Sequence, residues 1–162
     1  MEQVDDVVCR SVDLEEIDTD LYRAKNQILW KPATGRGVYG GQMVGCALAA
    51  ARRTVDSSIA VHSMHVYFVD VASPARDILF DVRRVRNGRS FATRTVNLRQ
   101  NGKTVVIATV QFHHLEPSNG LLWQPAMPDV PPPESLKDRR EVFGELREKV
   151  RAKLRAAGKD LS

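Results

Sequence analysis

The chain has 162 residues, 43% hydrophobic, 27% charged and 6% aromatic, which suits one soluble globular domain and is too short for two full ones. No run nears the roughly 18 apolar residues of a membrane-spanning helix, and the start, MEQVDDVVCR, lacks the basic-then-apolar pattern of a secretory signal. Cys9 and Cys46 form no CxxC pair and imply no disulfide framework, so reduced thiols and a cytosolic or organelle-matrix setting are expected.

The net charge of +4 is unevenly spread. Residues 1–20 carry eight acidic side chains against Arg10, residues 21–132 fourteen basic against six acidic, and residues 133–162 nine basic against six acidic. A basic middle section can attract nucleic acid, anionic lipid or a phosphate-bearing small molecule, and charge alone does not choose among them.

In chain order, Leu21–Trp30 is predicted as a strand that stops at Lys31-Pro32. A glycine-rich turn, Gly35–Gly41, leads into a helix predicted from Gln42 to about Thr54, whose small residues almost all round mark it as buried. Strand-like segments come next at Val61–Val69, Asp77–Arg86, Ser90–Gln100 and Lys103–His113. Asn87-Gly88 and Asn101-Gly102 separate the last three, and Asn-Gly between apolar runs signals a tight type I′ hairpin. In the last strand Val106, Ala108, Val110 and Phe112 share one face, while Val105 and Ile107 fall with Thr109, Gln111 and His113 on the other. An α+β fold results, an antiparallel sheet wrapped around one central helix. Beyond it lie a proline-rich extended linker and a charged helix from Glu134 to Ala157, with Phe143, Leu146, Val150 and Leu154 as a narrow apolar stripe.

Several features carry candidate chemistry. Gly35 to Gly40 spells GxGxxG, but two hairpins come after it where a dinucleotide fold needs strand-helix-strand repeats, so a turn of close backbone approach is the better reading. Gly40-Gly41-Gln42 opens the buried helix, where free amides can polarise a carbonyl or hold an anion; close packing of that turn is the equal alternative. His62 and His65 lie an odd number of residues apart, so simple alternation puts them on opposite faces and argues against a shared metal. One of them then faces the helix, as a catalytic base or as a hydrogen-bonded core residue. Arg83, Arg84, Arg86, Arg89, Arg94 and Arg99 crowd two strands and could grip phosphate or form a solvated basic face. Too few aromatics accompany them for nucleic-acid stacking.

Together the segments VYGGQMVGCALAAARRTV, VHSMHVYFVD and VRRVRNGRSFATRTVNLRQNGK resemble the N-terminal half of the acyl-CoA thioesterase II family, over Leu21 to His113. The resemblance implies a hotdog fold, present twice in family members, and hydrolysis of fatty acyl-CoA to fatty acid and CoA. It implies that the family's Asp, Thr or Ser, and Gln belong to a C-terminal hotdog absent from this chain, whose own helix has no carboxylate. His62 matches the first histidine of the family's strand motif, a position linked with the active site.

The resulting expectation is an acidic segment at 1–20, a hotdog domain at 21–115, a linker at 116–133 and a charged helix and tail at 134–162. Catalytic roles fall to His62 and Gln42, and substrate binding to Gly40, Gly41, Arg84, Arg86 and Arg89. No metal and no cofactor are expected. The partners are fatty acyl-CoA and either a second copy of the chain or a second hotdog, with no nucleic acid and no membrane span. The cytoplasm is the expected compartment, with the peroxisomal matrix a family alternative although Asp160-Leu161-Ser162 is not an SKL-type address. The rival reading is a non-catalytic half-domain that binds acyl-CoA or a partner chain.

Overall fold

The computed structural model describes residues 9–116 and 121–157. Six strands, β1 (Glu15–Asp18), β2 (Leu21–Ala24), β3 (Ile59–Phe68), β4 (Ile78–Asn87), β5 (Phe91–Gln100) and β6 (Lys103–His114), form one sheet in the order β1-β2-β4-β5-β6-β3. Every neighbouring pair is antiparallel. One helix, α1 (Gly40–Arg52), covers a face of this sheet.

Small side chains let helix and sheet close on each other. Cys46, Ala47, Ala50 and Ala51 of α1 are fully buried, and opposite them lie Phe80, Val96, Leu98, Val106, Ala108, Val110 and Phe112. Those strand residues alternate along β4, β5 and β6, as a half-buried pleated surface requires. Val105 departs from the alternation. A bulge between Leu98 and Arg99 leaves Val105 without an opposite residue, and it turns into the core beside Val106 rather than joining Ile107 on the outer face.

The strand predicted over Leu21–Trp30 is shorter, ending at Ala24 before a 3₁₀ turn at Asn26–Ile28. Conversely, β1 lies within the acidic segment predicted to precede the domain. All four of its residues are exposed, so no apolar alternation betrays it; backbone pairing with β2 and the Arg23–Glu15 ion pair hold it to the sheet. The two Asn-Gly turns also differ. Asn101 and Gly102 both have positive φ, 53° and 75°, as a type I′ hairpin demands. At the other, φ stays negative, β4 and β5 join through a wider loop, and the Asn87 side chain instead accepts from Arg94 Nη2 at 2.6 Å.

Arg94 is the least expected core residue. It is 1% exposed and bonds to no carboxylate among the described residues. Its Nε and Nη2 donate to the hydroxyl (2.7 Å) and carbonyl (2.9 Å) of Thr54 just past α1, and Nη1 donates to the carbonyls of Arg86 and Thr93, both at 3.0 Å. The cation therefore sits at the negative end of the helix and ties it to the β4–β5 loop. Gln100 does similar work at the other end of the sheet, accepting from Ser73 N and donating to Ser73 O and Arg76 O.

Residues 119–162 form a second compact unit. Its described part runs as exposed, irregular chain into a 3₁₀ turn at Pro133–Ser135 and then α2 (Arg139–Ala156). The helix starts later than predicted because the Asp138 carboxylate accepts from Arg140 N and caps it. Among the described residues no helix is long and apolar enough to cross a membrane.

Replacing Arg94 by Met should cost about 3 kcal/mol in urea unfolding, because several buried acceptors lose their donor together; a loss below about 1 kcal/mol would show the clamp to be dispensable. Asp20 and Arg84 pair through two contacts of 2.8 and 2.9 Å, and this bond holds the Asp20 carboxyl below its ordinary range, partly offset by burial. A lowered folded value means the stabilisation is complete above about pH 4 and fades as pH falls through it. Asp20→Asn should thus be less stable than the parent at neutral pH, with the gap narrowing as pH falls below about 4; a gap that does not change with pH would refute this linkage.

Candidate functional site

The start of α1 is set by the loop before it. Gln42 is 7% exposed, and its carboxamide is fully engaged: Oε1 accepts from Trp30 N at 2.8 Å, while Nε2 donates to the carbonyls of Ile28 (2.6 Å) and Ser11 (2.9 Å). Tyr39 N donates to Trp30 O at 2.8 Å, closing the loop on itself. Gly37 is pressed against the β3–β4 connection, where a Cβ would come within 2.5 Å of Ala72 O. These contacts account for the glycines of the GxGxxG string as packing. Gln42 itself acts here as a structural bridge.

Within that frame the Gly40 and Gly41 amides, among the described residues, have no hydrogen-bond acceptor, and no side chain caps the helix. The Gln42 amide is already donating to Tyr39 O. Gly40 lies beneath the Phe68 ring and Gly41 beneath the Tyr39 ring, both too close for a Cβ to fit without movement. Trp30 packs edge-on to Tyr39 at 5.3 Å. Trp30, Tyr39, Phe68 and Val71 are each about half exposed, so the open amides sit at the floor of an apolar surface.

His62 is elsewhere. Val61 pairs with Phe112 and Ser63 with Gln111, so His62 is the extra residue of a β-bulge and the alternation of β3 resets there. Both His62 and His65 consequently lie on the outer face, away from α1, which corrects the expectation that they take opposite faces with one toward the helix. The His62 ring stands edge-on to Phe91 (5.8 Å) and His113 (5.9 Å), which stack on each other at 4.2 Å. His65 contacts Tyr67 at 4.7 Å. His62 is six positions from Phe68, about 20 Å along the strand, so one chain does not bring it to the Gly40–Gly41 amides.

A second bulge divides the arginines. Arg84 pairs with Arg94 but Arg86 with Thr93, so Val85 is extra and Arg84 and Arg86 point to opposite faces. Arg84 is bound to Asp20 and borders a 300 Å³ pocket with Thr54, Arg94 and His114. Arg86 and Arg89 line a separate 440 Å³ depression with Phe91, Thr93 and Gln111, on the same face as His62. Of the expected site residues, the structure thus groups Gly40 with Gly41, and Arg86 and Arg89 with the ring cluster of His62. Cys46 is buried, its thiol pushed up to about 12 by desolvation, and is chemically quiet.

The remaining feature is the edge. β3 is an outermost strand, ten residues long and, among the described residues, unpaired on one side, and Val61, Tyr67 and Phe68 along it, with Val69 just after, are about half exposed or more. The opposite edge, β1, is short and acidic, a pattern that discourages further pairing.

Residues 28–113 match the sequence model described as the acyl-CoA thioesterase N-terminal domain. The chain is 40% identical over 137 residues to acyl-coenzyme A thioesterase 8 of Mus musculus, a match covering 85% of this chain and 42% of that one. It is 34% identical over 125 residues to acyl-CoA thioesterase 2 of Haemophilus influenzae, covering 77% and 42%. The chain therefore spans about two fifths of these relatives. Among solved structures, an acyl-CoA thioesterase II from Mycobacterium marinum superposes with a TM-score of 0.65 at 35% identity, over 78% of this chain and 44% of that one. A hot dog fold protein from Alicyclobacillus acidocaldarius, at 24% identity and a TM-score of 0.67, supports the fold alone. On the strength of this match in sequence and in fold, the chain belongs to the acyl-CoA thioesterase II family and carries its N-terminal hotdog domain.

Proposed function

We propose that this chain is the N-terminal hotdog of an acyl-CoA thioesterase, hydrolysing fatty acyl-CoA to fatty acid and CoA when β3 is joined by a second hotdog, from another copy or another chain. The observation that carries the reading is the open β3 edge, which among the described residues has an unpaired side and exposed Val61, Tyr67 and Phe68, the last of them lying over Gly40 at the start of α1. Ten residues of unpaired strand beside apolar side chains invite a further strand. The share of its relatives that the chain spans is what one of two hotdogs would give.

In this reading the acyl chain runs over Trp30, Tyr39, Phe68 and Val71, and the Gly40 and Gly41 amides polarise the thioester oxygen as negative charge develops on it. Arg86 and Arg89, which have no acidic partner among the described residues, meet the CoA phosphates; Arg84, neutralised by Asp20, contributes less. Water attack also needs a base. α1 supplies no carboxylate, and His62 is the base candidate within this chain, brought to the thioester only across the joined edge. The compartment is the cytoplasm, or the peroxisomal matrix, as the name of a Saccharomyces cerevisiae relative 31% identical over 81 residues suggests.

The separation of His62 from the helix start favours a second reading, a half-domain that binds acyl-CoA and turns it over only with a partner's groups. Thiol release from palmitoyl-CoA, measured beside sedimentation equilibrium, decides between them. Turnover by a homodimer that falls by about 100-fold or more in His62→Ala supports a complete enzyme with His62 as base; binding without turnover supports the half-domain. Val61→Lys with Tyr67→Lys should leave the fold intact, abolish self-association and remove any turnover, and full activity from a monomeric variant would refute the joined edge. Arg86→Ala and Arg89→Ala should raise KM several-fold with little change in kcat.

A further inference from the structure

α2 poses a problem the thioesterase reading does not touch. Its apolar residues Val142, Phe143, Leu146 and Val150 are 46–56% exposed, and the helix holds seven basic and three acidic side chains. At 3.6 residues per turn, these four with Leu154 occupy about a third of the circumference. Lys149 falls beside one border of that stripe and Lys153 just inside it, Arg140, Arg147 and Arg151 follow the other border, and Arg139 in the first turn lies within the stripe. Glu141 and Glu148 lie on the side opposite the stripe with Arg155 beside them, and Glu145 lies between that side and Lys149.

We infer that α2 is an interfacial helix that lies on an anionic phospholipid surface, its apolar stripe sunk to the level of the acyl chains and its flanking cations at the headgroups. Border lysines and arginines can lay their methylene stems over an apolar surface while the charges reach outward to phosphate. Glu141 and Glu148, on the opposite side, are turned away from a negative surface. A protein groove would read the same apolar anchors at helical spacing, but it would not require an anionic lipid. The same unit also presents Leu121, Leu122 and Trp123 at 86% exposure or more, side chains suited to the membrane interface. Arg139 packs on the Phe143 ring at 5.2 Å, and Lys137 pairs with Glu145, so part of the helix is prepared before contact.

The inference is independent of catalysis, and its test uses the full chain. Co-sedimentation with phosphatidylcholine vesicles containing about a third phosphatidylserine should capture the chain at low salt, with capture falling steeply as salt rises. Phosphatidylcholine alone should bind at least tenfold more weakly. Leu146→Glu with Val150→Glu should abolish capture while leaving the unfolding of the sheet domain unchanged. Replacing Arg147 or Lys149 by Ser should weaken capture about fivefold each. Three results would overturn the proposal: no capture at low salt, capture that survives the two glutamates, or glutamates that change only the sedimentation of the chain. The second would place binding on the basic sheet domain, and the third would make the stripe a contact between protein helices.

Discussion

A single buried carboxamide governs where the chemistry of this domain can be. Gln42 bridges Trp30, Ile28 and Ser11, and so fixes the loop that delivers the chain to Gly40. Each bond replaces one that water would otherwise make, so the net gain per bond is about 1 kcal/mol, but losing the amide would remove three partly buried bonds at once. With the loop held, the Gly40 and Gly41 amides open the helix without an acceptor among the described residues, and the Phe68 and Tyr39 rings pack against these glycines. Arg94 performs the equivalent task at the other end of α1, where the helix leaves carbonyls to satisfy. The helix is thus pinned at both ends by side chains whose polar atoms are entirely used, and its middle is free to be small and apolar.

The fold was legible where period and turn chemistry agree. The alternation of Val106, Ala108, Val110 and Phe112, the small residues of α1 and the Asn101-Gly102 turn each have one physical interpretation, and each takes that form. The features that escaped reading were set by contacts between distant residues. Nothing local shows that Val85, His62 and Val105 are bulged, yet each bulge shifts the alternation of its strand by one residue and turns later side chains to the other face. That is why Arg84 parts from Arg86 and why His62 joins His65 on the outer face. Likewise β1 carries Ile17 alone among acidic residues, too little to show a period, and Asn87 is drawn out of a tight turn by a guanidinium seven residues away.

The site was legible in part. Gly40 and Gly41 open α1 as the sequence places them, and glycine there clears the Phe68 and Tyr39 rings. Gln42 looked chemical and is architectural; the signal that could have shown this is its place next to a pair of glycines on a helix otherwise almost wholly apolar, where a polar side chain must find partners inside. Arg94 looked like one more surface cation. Its position in phase with Val96 and Leu98 was the clue to its burial, and a lone arginine on an apolar face implies a set of neutral acceptors waiting for it.

The functional reading rests on an asymmetry between the two edges of one sheet. The β1 edge is short and acidic, while β3 is long, apolar along its border and unpaired beside the helix start. Hydrogen–deuterium exchange of the β3 amides across a range of protein concentrations reports whether this edge is joined. Joining at this edge predicts that the outward amides of β3 become protected as strongly as those facing β6, in step with association and with acyl-CoA turnover. Outward amides that exchange as a free edge while the chain is hydrolysing acyl-CoA at full rate would contradict it.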